Sequence, residues 1–172
     1  WTGHARLYVP GSLPSGDYSV GIQLLEANGE AVTAPHIIQT MSVQEPERIL
    51  SEPRFATASN AHWINGLTLR GYSISKESQT IALVWQTTDR LDTSLRLFVQ
   101  VFDDSALLAV SDGIPVDYTR PTTSWSTQEY ITTHHTFELP LSDYQLHIGW
   151  YDPLTNERIL LENGSDTLLI SP

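Results

Sequence analysis

Four aspartates, Asp103, Asp104, Asp112 and Asp117, are the first residues whose type suggests chemistry. A pair of carboxylates on either side of a glycosidic bond is what most glycosidases use. These four fall in turn-like stretches, where aspartate is common because its side chain bonds its own backbone. The chain also lacks G-x-S-x-G, H-E-x-x-H and Gly-rich phosphate-loop motifs. We therefore predict no catalytic residue and no enzymatic activity.

Three histidines, His134, His135 and His147, offer imidazoles to a metal ion. Adjacent residues of a strand point to opposite faces, so only one of His134 and His135 can join a cluster. Calcium requires several converging oxygens, and Asp103 and Asp104 with Asp112 or Asp152 are the alternative source. We expect neither set to form a site, and we predict no metal and no cofactor.

Aromatic side chains are stronger candidates, because the flat face of a ring stacks on the C–H side of a sugar. Trp85 and Trp150 are in phase with the core positions of strands, which predicts that they are buried. Other rings lie in irregular stretches next to polar groups, and this mixture is typical of sugar contact. An alternative is that these rings pack over one end of the sandwich and cover its core. The candidate ligand contacts are Trp63, Asp117, Tyr118, Arg120, Trp125 and Tyr130.

The element around which these candidates are arranged is a turn followed by a strand, LPLSDYQLHIGWY, from Leu139 to Tyr151. Apolar residues alternate with polar ones along its second half, as in a half-buried strand. Tyr144 follows the turn directly, which predicts a tyrosine corner with its hydroxyl bonded back to the turn. The stretch LPSGDYSVGIQLL, from Leu13 to Leu25, has the same order of turn, tyrosine and strand, with Tyr18 after the turn.

The rest of the chain reads as short strands separated by turns. Further strands are predicted near residues 5–9, 30–33, 36–43, 80–86, 95–102, 107–110 and 167–170. No segment shows a 3.6-residue apolar stripe. We therefore predict an all-β fold, an antiparallel β-sandwich of Ig-like or jelly-roll-like Greek-key type, in which residues 111–126 form a long crossover.

The two tyrosine corners indicate an internal repeat of unequal copies. We predict that residues 1–43 are the C-terminal half of one module, that residues 44–60 are a linker, and that residues 61–172 are a complete module. This arrangement predicts a piece of a longer protein. An incomplete module leaves strand edges unpaired, so we expect residues 1–43 to dock on the whole module or to form a homo-oligomer with another chain.

Composition limits the partners. The net charge is −11, and the nine Lys and Arg residues are scattered along the chain. This charge argues against nucleic acid as a partner, because phosphate binding needs clustered basic residues, and against docking on anionic lipid. The sequence contains no cysteine, so disulfides and thiolate chemistry are excluded. No apolar run approaches the ~20 residues of a membrane span, and we expect no direct membrane insertion.

An ordered set of short motifs carries a resemblance to a known family. The motifs are LRGY (69–72), LVWQ (83–86), LFVQVFD (97–103), DGIP (112–115), PTTSW (121–125), Glu129, and the stretch from Leu139 to Ile159. The chain resembles the β-sandwich domain near the C-terminus of bacterial membrane glycosyltransferase-like proteins, notably of Chloroflexi. Residues 63–172 carry the resemblance well, and residues 1–43 carry it in part. Ser105, Gln128, Thr133 and Asn156 depart from the family's usual residues.

The resemblance implies an extracytoplasmic domain, periplasmic or on the cell surface, that forms part of a membrane protein. It assigns no catalytic residue. The expected function is therefore a non-catalytic accessory domain that binds carbohydrate or glycolipid. The alternative is a structural or protein-interaction domain with no small ligand.

Overall fold

The computed structural model describes residues 13–139 and 144–171, and within these ranges the protein is all-β with antiparallel sheets. The chain divides into two compact units, Trp1–Glu47 and Arg48–Pro172. Residues 44–60, the predicted linker, are not all outside the two units. Strand β3 already begins at Thr57, and the backbone N–H of Tyr130 donates to the carbonyl of Ile49 at 2.8 Å. Residues from Arg48 onward therefore belong to the second unit.

The first unit contains an antiparallel hairpin of β1 (Gly16–Ile22) and β2 (His36–Val43). The Tyr18 hydroxyl donates to the carbonyl of Pro14 at 2.9 Å, which confirms the tyrosine corner predicted there. The strand predicted at residues 30–33 is reduced to a single bridge between Leu25 and Ala31. The strand predicted at 5–9 lies outside the described residues, as does the turn before Tyr144.

Large apolar side chains of this hairpin and of its connecting loop are exposed. They are Ile22, Leu24, Leu25, Val32, Ile37 and Ile38. The equivalence of the hairpin with the strands after Tyr144, and its docking or oligomerisation, stay predictions.

The second unit consists of two sheets whose inner faces share one core. The four-stranded sheet has the order β3-β4-β5-β8, and the five-stranded sheet has the order β10-β9-β6-β7, with β11 also paired to β9. Their bounds are β3 (Thr57–His62), β4 (Leu67–Ser75), β5 (Thr80–Thr87), β6 (Arg96–Asp103), β7 (Ala106–Gly113), β8 (Ile131–Thr136), β9 (Gln145–Tyr151), β10 (Arg158–Ile159) and β11 (Leu168–Ile170).

The core follows the period-2 pattern of the sequence. Alternate residues of β5, β6 and β9 are fully buried in the core between the sheets, and the intervening ones are on the outer faces, where most are half-buried or exposed and Val84, Phe98 and Gly149 are covered. The inward set includes Ile81, Leu83, Trp85, Leu97, Val99, Val101, Leu146, Ile148 and Trp150. Strand β6 lies between β7 and β9, so it is central in its sheet.

Four indoles form a continuous row through this core. The ring centroids of Trp63 and Trp85 are 5.4 Å apart, those of Trp85 and Trp150 are 4.9 Å apart, and those of Trp150 and Trp125 are 5.8 Å apart. The burial of Trp85 and Trp150 was predicted. Trp63 and Trp125 are only 1% and 5% exposed, so neither presents a ring face to a sugar, and their prediction as ligand contacts is wrong.

Gly149 of β9 makes room for an aromatic ring on the outer face of the five-stranded sheet. A Cβ built there would lie 2.4 Å from Phe98 Cζ, and Phe98 is buried under the Arg158 guanidinium, 4.7 Å from its centroid. We expect Gly149→Ala to lower the free energy of unfolding by about 1–3 kcal/mol through overpacking. Urea denaturation measures the loss, which should shrink in a Phe98→Leu background. An equal loss in both backgrounds would contradict this explanation.

Candidate functional site

The edge strands β7 and β8 lie on the same side of the two-sheet stack and are joined by side chains. Ser111 Oγ of β7 is 2.8 Å from His135 Nδ1 of β8, and His135 Nε2 is 3.0 Å from Thr133 Oγ1. Trp85 Nε1 donates to the same Thr133 oxygen at 3.2 Å. This hydrogen-bonded row fixes the spacing of the two edges, and it forms the floor of a cleft between them.

His135 is neutral at physiological pH. Burial and, to a smaller extent, the nearby His134 lower its pKa from 6.5 to about 4, and Asp117 partly opposes this shift. Thr133 accepts from Trp85, and the neutral His135 ring donates at one nitrogen and accepts at the other, which joins Thr133 to Ser111. The row therefore links the two edge strands through side chains.

A short left-handed turn closes one end of this cleft. Three successive non-glycine residues, Val116, Asp117 and Tyr118, have φ values of 54°, 49° and 67°. Backbone bonds hold the turn, including Thr119 N–H to the Val116 carbonyl at 2.9 Å. Left-handed backbone costs L-residues roughly 1–2 kcal/mol each, and least for Asp and Asn. Such strain concentrates at functional sites, where the surrounding structure enforces it.

The turn presents Tyr118 at the surface with 60% of the side chain exposed. The ring passes so close to Gly113 that a Cβ there would lie 3.1 Å from Tyr118 Cζ. Arg96 Nη1 donates to the Tyr118 hydroxyl at 3.4 Å, and the guanidinium carbon lies 5.7 Å from the ring centroid. Contacts at one side and at the hydroxyl therefore orient an otherwise exposed ring.

Asp112 adds a carboxylate beside this ring. The Tyr151 hydroxyl donates to both Asp112 oxygens at 2.9 Å, bridging β9 and β7 on the outer face. Burial, followed by this bond to a charged acceptor, raises the pKa of Tyr151, so the phenol remains a donor at neutral pH. A carboxylate has acceptor capacity beyond the bonds it receives here, and Asp112 is exposed to solvent.

We call this region the edge cleft. Its cavity volume is about 70 Å³, room for a few water-sized groups, so a sugar ring would lie at the open mouth of the cleft and not inside it. The lining combines an exposed aromatic ring, two carboxylates, an exposed imidazole and the buried histidine of the floor. The residues that define it are Ser111, Asp112, Asp117, Tyr118, His134 and His135.

A buried ion network holds the loop that carries the turn. Glu129 is 1% exposed, and its Oε1 accepts from Arg120 Nη2 at 2.6 Å. Its Oε2 accepts from Arg48 Nη1 at 2.8 Å and from the Ser126 N–H at 3.2 Å. Arg120 was predicted to contact a ligand. That prediction is wrong, because the guanidinium is buried and donates to Glu129.

Of the six predicted ligand contacts, the structure brings Asp117 and Tyr118 together in the edge cleft. Tyr130 is half-buried and does not line the cleft, while Trp63, Trp125 and Arg120 are buried. Sequence reasoning did not select Asp112, His134 or His135 as ligand contacts, and it missed Ser111 altogether. The contact between β7 and β8 joins edges of two different sheets and is non-local, so no local sequence pattern predicts it.

The metal alternatives can be placed as well. Among the described residues, no group of three His, Cys, Asp or Glu side chains is arranged to hold a metal ion. His147 stacks on Phe102 with ring centroids 4.3 Å apart, and burial lowers its pKa. His134 is exposed while His135 is buried, as the alternation along a strand requires.

No protein-family model, curated protein or solved structure matches the chain at a significant level. In the part of the chain that the structure describes, no helix is long and apolar enough to cross a bilayer.

Proposed function

We propose that this chain is a non-catalytic accessory domain that binds carbohydrate in the edge cleft. The observation that carries the proposal is Tyr118, an exposed ring held by a strained turn at the mouth of a polar cleft. A ring that served only the fold would not need three left-handed residues to keep it in solvent. Strain that leaves an aromatic side chain exposed is better explained by ligand contact.

Hydrogen-bonding groups around the ring suit a ligand rich in hydroxyls. Asp112 and Asp117 are exposed acceptors, and the exposed His134 imidazole contributes one donor and one acceptor when neutral. Sugar hydroxyls both donate and accept, so they can satisfy this mixed set while one face of the sugar stacks on Tyr118. An anionic ligand is disfavoured by the two carboxylates.

The resemblance supplies the wider context of the proposal. We place the domain outside the cytoplasm, as part of a bacterial membrane glycosyltransferase-like protein, where it would hold a glycan or glycolipid acceptor. The second candidate function, a structural or protein-interaction domain with no small ligand, is favoured by a different observation. Strand β7 exposes Leu107, Leu108 and Val110 to solvent.

The test is a glycan array probed with the full chain and with Tyr118→Ala. We expect the substitution to weaken binding by up to about tenfold, since a stacking contact on one ring contributes on the order of 0.5–1.5 kcal/mol beyond the area it buries. Tyr118→Phe should retain most of the binding, because the ring is kept. Thermal stability should hardly change, because the side chain is mostly exposed.

Tyr130→Ala is the matched control, since this tyrosine does not line the cleft, and it should leave glycan binding unchanged. Chemical-shift changes in an NMR titration with the best glycan should cluster on residues 111–118 and 133–135. Binding that survives Tyr118→Ala, or shifts that cluster elsewhere, would move the site out of the edge cleft. A chain that binds no glycan would favour the second candidate.

A further inference from the structure

Strand β7 forms an open edge of the five-stranded sheet. Within the described ranges it pairs with β6 alone, so the backbone groups along its other side have no strand partner. Its sequence from Ala106 to Ser111 contains no charged residue and no proline. Leu107 is 52% exposed and Val110 is 54% exposed. Edges of this kind are templates for a further strand, and proteins usually protect them with lysine or proline.

The other two long edges of this unit are different. Strand β3 has the sequence TASNAH and a register shift between Ala58 and Ala61, and β8 has the sequence ITTHHT. Neither strand carries an exposed large apolar side chain. Of these three long edges, β7 is the one that exposes such side chains.

The register of β7 leaves a regular segment available for pairing. A shift at Leu108 separates the turn end of the strand from the rest, and Ala109 to Gly113 then pair one-to-one with Val101 to Leu97 of β6. A bulge often protects an edge, but this one lies near the turn. Five residues with undistorted spacing follow it, enough for a short added strand.

Carboxylates flank this segment at both ends. Asp103 and Asp104 form the exposed β6–β7 turn, and the exposed Asp112 and Asp117 lie at the other end. A second copy of β7, added in either direction, would bring negative ends against negative ends. Like charges directly opposite each other destabilise a sheet, so self-pairing is disfavoured.

We propose that β7 captures an extended peptide segment from a partner protein, with an apolar centre and Lys or Arg at its ends. The segment adds as a sixth strand. Its backbone bonds the N–H and C=O groups of Ala109–Gly113 that point away from β6, its apolar side chains cover Val110 and Leu108, and its basic ends meet the aspartates. Ser111, Asp112 and Gly113 also line the edge cleft, so the added strand and a glycan would compete at that end of β7, but the strand does not use the ring of Tyr118.

The probe is a synthetic seven-residue peptide, acetylated and amidated, with alternating valine and threonine and a lysine at each end. Amide hydrogen exchange of the full 172-residue chain is followed by NMR with and without it. We expect slower exchange at residues 109–113, and binding that weakens as salt is raised. The same peptide with glutamate at each end should bind at least about tenfold more weakly at low salt.

Val110→Lys places a charge on the edge and should abolish the protection. Leu169→Lys is the matched control, since Leu169 is 53% exposed on β11 of the same sheet and lies away from β7. Both variants should unfold at the wild-type urea concentration, because both sites are exposed. Tyr118→Ala should keep peptide binding, which separates this proposal from the proposed glycan site.

Three results would overturn the proposal. The first is that saturating peptide leaves the amide hydrogen exchange of residues 109–113 unchanged. The second is equal binding of the glutamate-ended peptide, which would remove the role of the aspartates. The third is dimerisation of the chain without peptide that Val110→Lys abolishes, because the occupant of β7 would then be a second copy.

Discussion

Glu129→Ala should lower the free energy of unfolding by about 3–5 kcal/mol, the usual cost of breaking a buried ion pair from one side. The carboxylate accepts from Arg120 and Arg48 and from one backbone N–H. Its removal leaves the Arg120 guanidinium, which is 9% exposed, without its counter-charge. Chemical denaturation, followed by tryptophan fluorescence of the indole row, measures the loss.

The matched control is Asp92→Ala. Asp92 pairs with Arg90 at 3.9 Å on the surface, where both side chains are mostly exposed. Surface pairs of this kind contribute little, so the stability should remain close to wild type. A similar loss in both variants would show that burial of the Glu129 network does not determine its contribution.

Glu129→Gln separates the charge of this network from its shape. The amide keeps the size of the side chain and one carbonyl acceptor, but it removes the negative charge. Since Arg120 follows the left-handed turn by two residues, we expect this variant to loosen the turn that presents Tyr118. Glu129 would then be a positioning residue for the edge cleft, and glycan binding should weaken although the residue touches no ligand.

Acidification should destabilise the protein through His135, by about 3 kcal/mol between pH 7 and pH 4. The pKa of this histidine is about 4 in the folded protein and 6.5 in the unfolded chain. Between these values the unfolded chain binds one more proton, so stability falls as the pH is lowered. The stability that depends on a neutral His135 is fully present above about pH 6.5 and is lost as the pH falls towards 4.

Other groups also titrate in this range, so the effect of His135 is measured as the difference in unfolding free energy between wild type and a His135 variant at each pH. Urea denaturation of wild type and His135→Gln at several pH values should give curves that converge as the pH falls. The exposed His134 supplies the control, and His134→Gln should keep most of the wild-type pH dependence. Parallel curves for wild type and His135→Gln would mean that His135 is not held neutral by burial.

Protonation of His135 should also affect the edge cleft. The imidazolium carries two N–H groups and cannot accept, so Thr133 must accept from both Trp85 and His135, and the row then holds a positive charge in the buried floor of the cleft. Because this row joins β7 to β8, we expect ligand binding to weaken in the same pH range as the loss of stability.

The sequence alone determined the class of fold and much of its core. Alternation along Ile81, Leu83 and Trp85, and again along Leu146, Ile148 and Trp150, predicted strands and the faces that they bury. Tyr18 predicted its own bond to the preceding turn. These features are local. Side chains along a strand alternate between its two faces, and the hydrogen bond of the tyrosine corner spans four residues. Neighbouring residues therefore suffice to specify both features.

Tertiary structure decided which strand edges meet and which loop residues are buried. Trp125 follows an irregular stretch that looks exposed, yet its indole joins the row of core tryptophans and donates to the Arg120 carbonyl. Ser111 and His135 are 24 residues apart and become partners because β7 and β8 are edges of two different sheets on the same side. Strand order depends on contacts distant in the chain, so the edge cleft becomes visible only when both sheets are assembled.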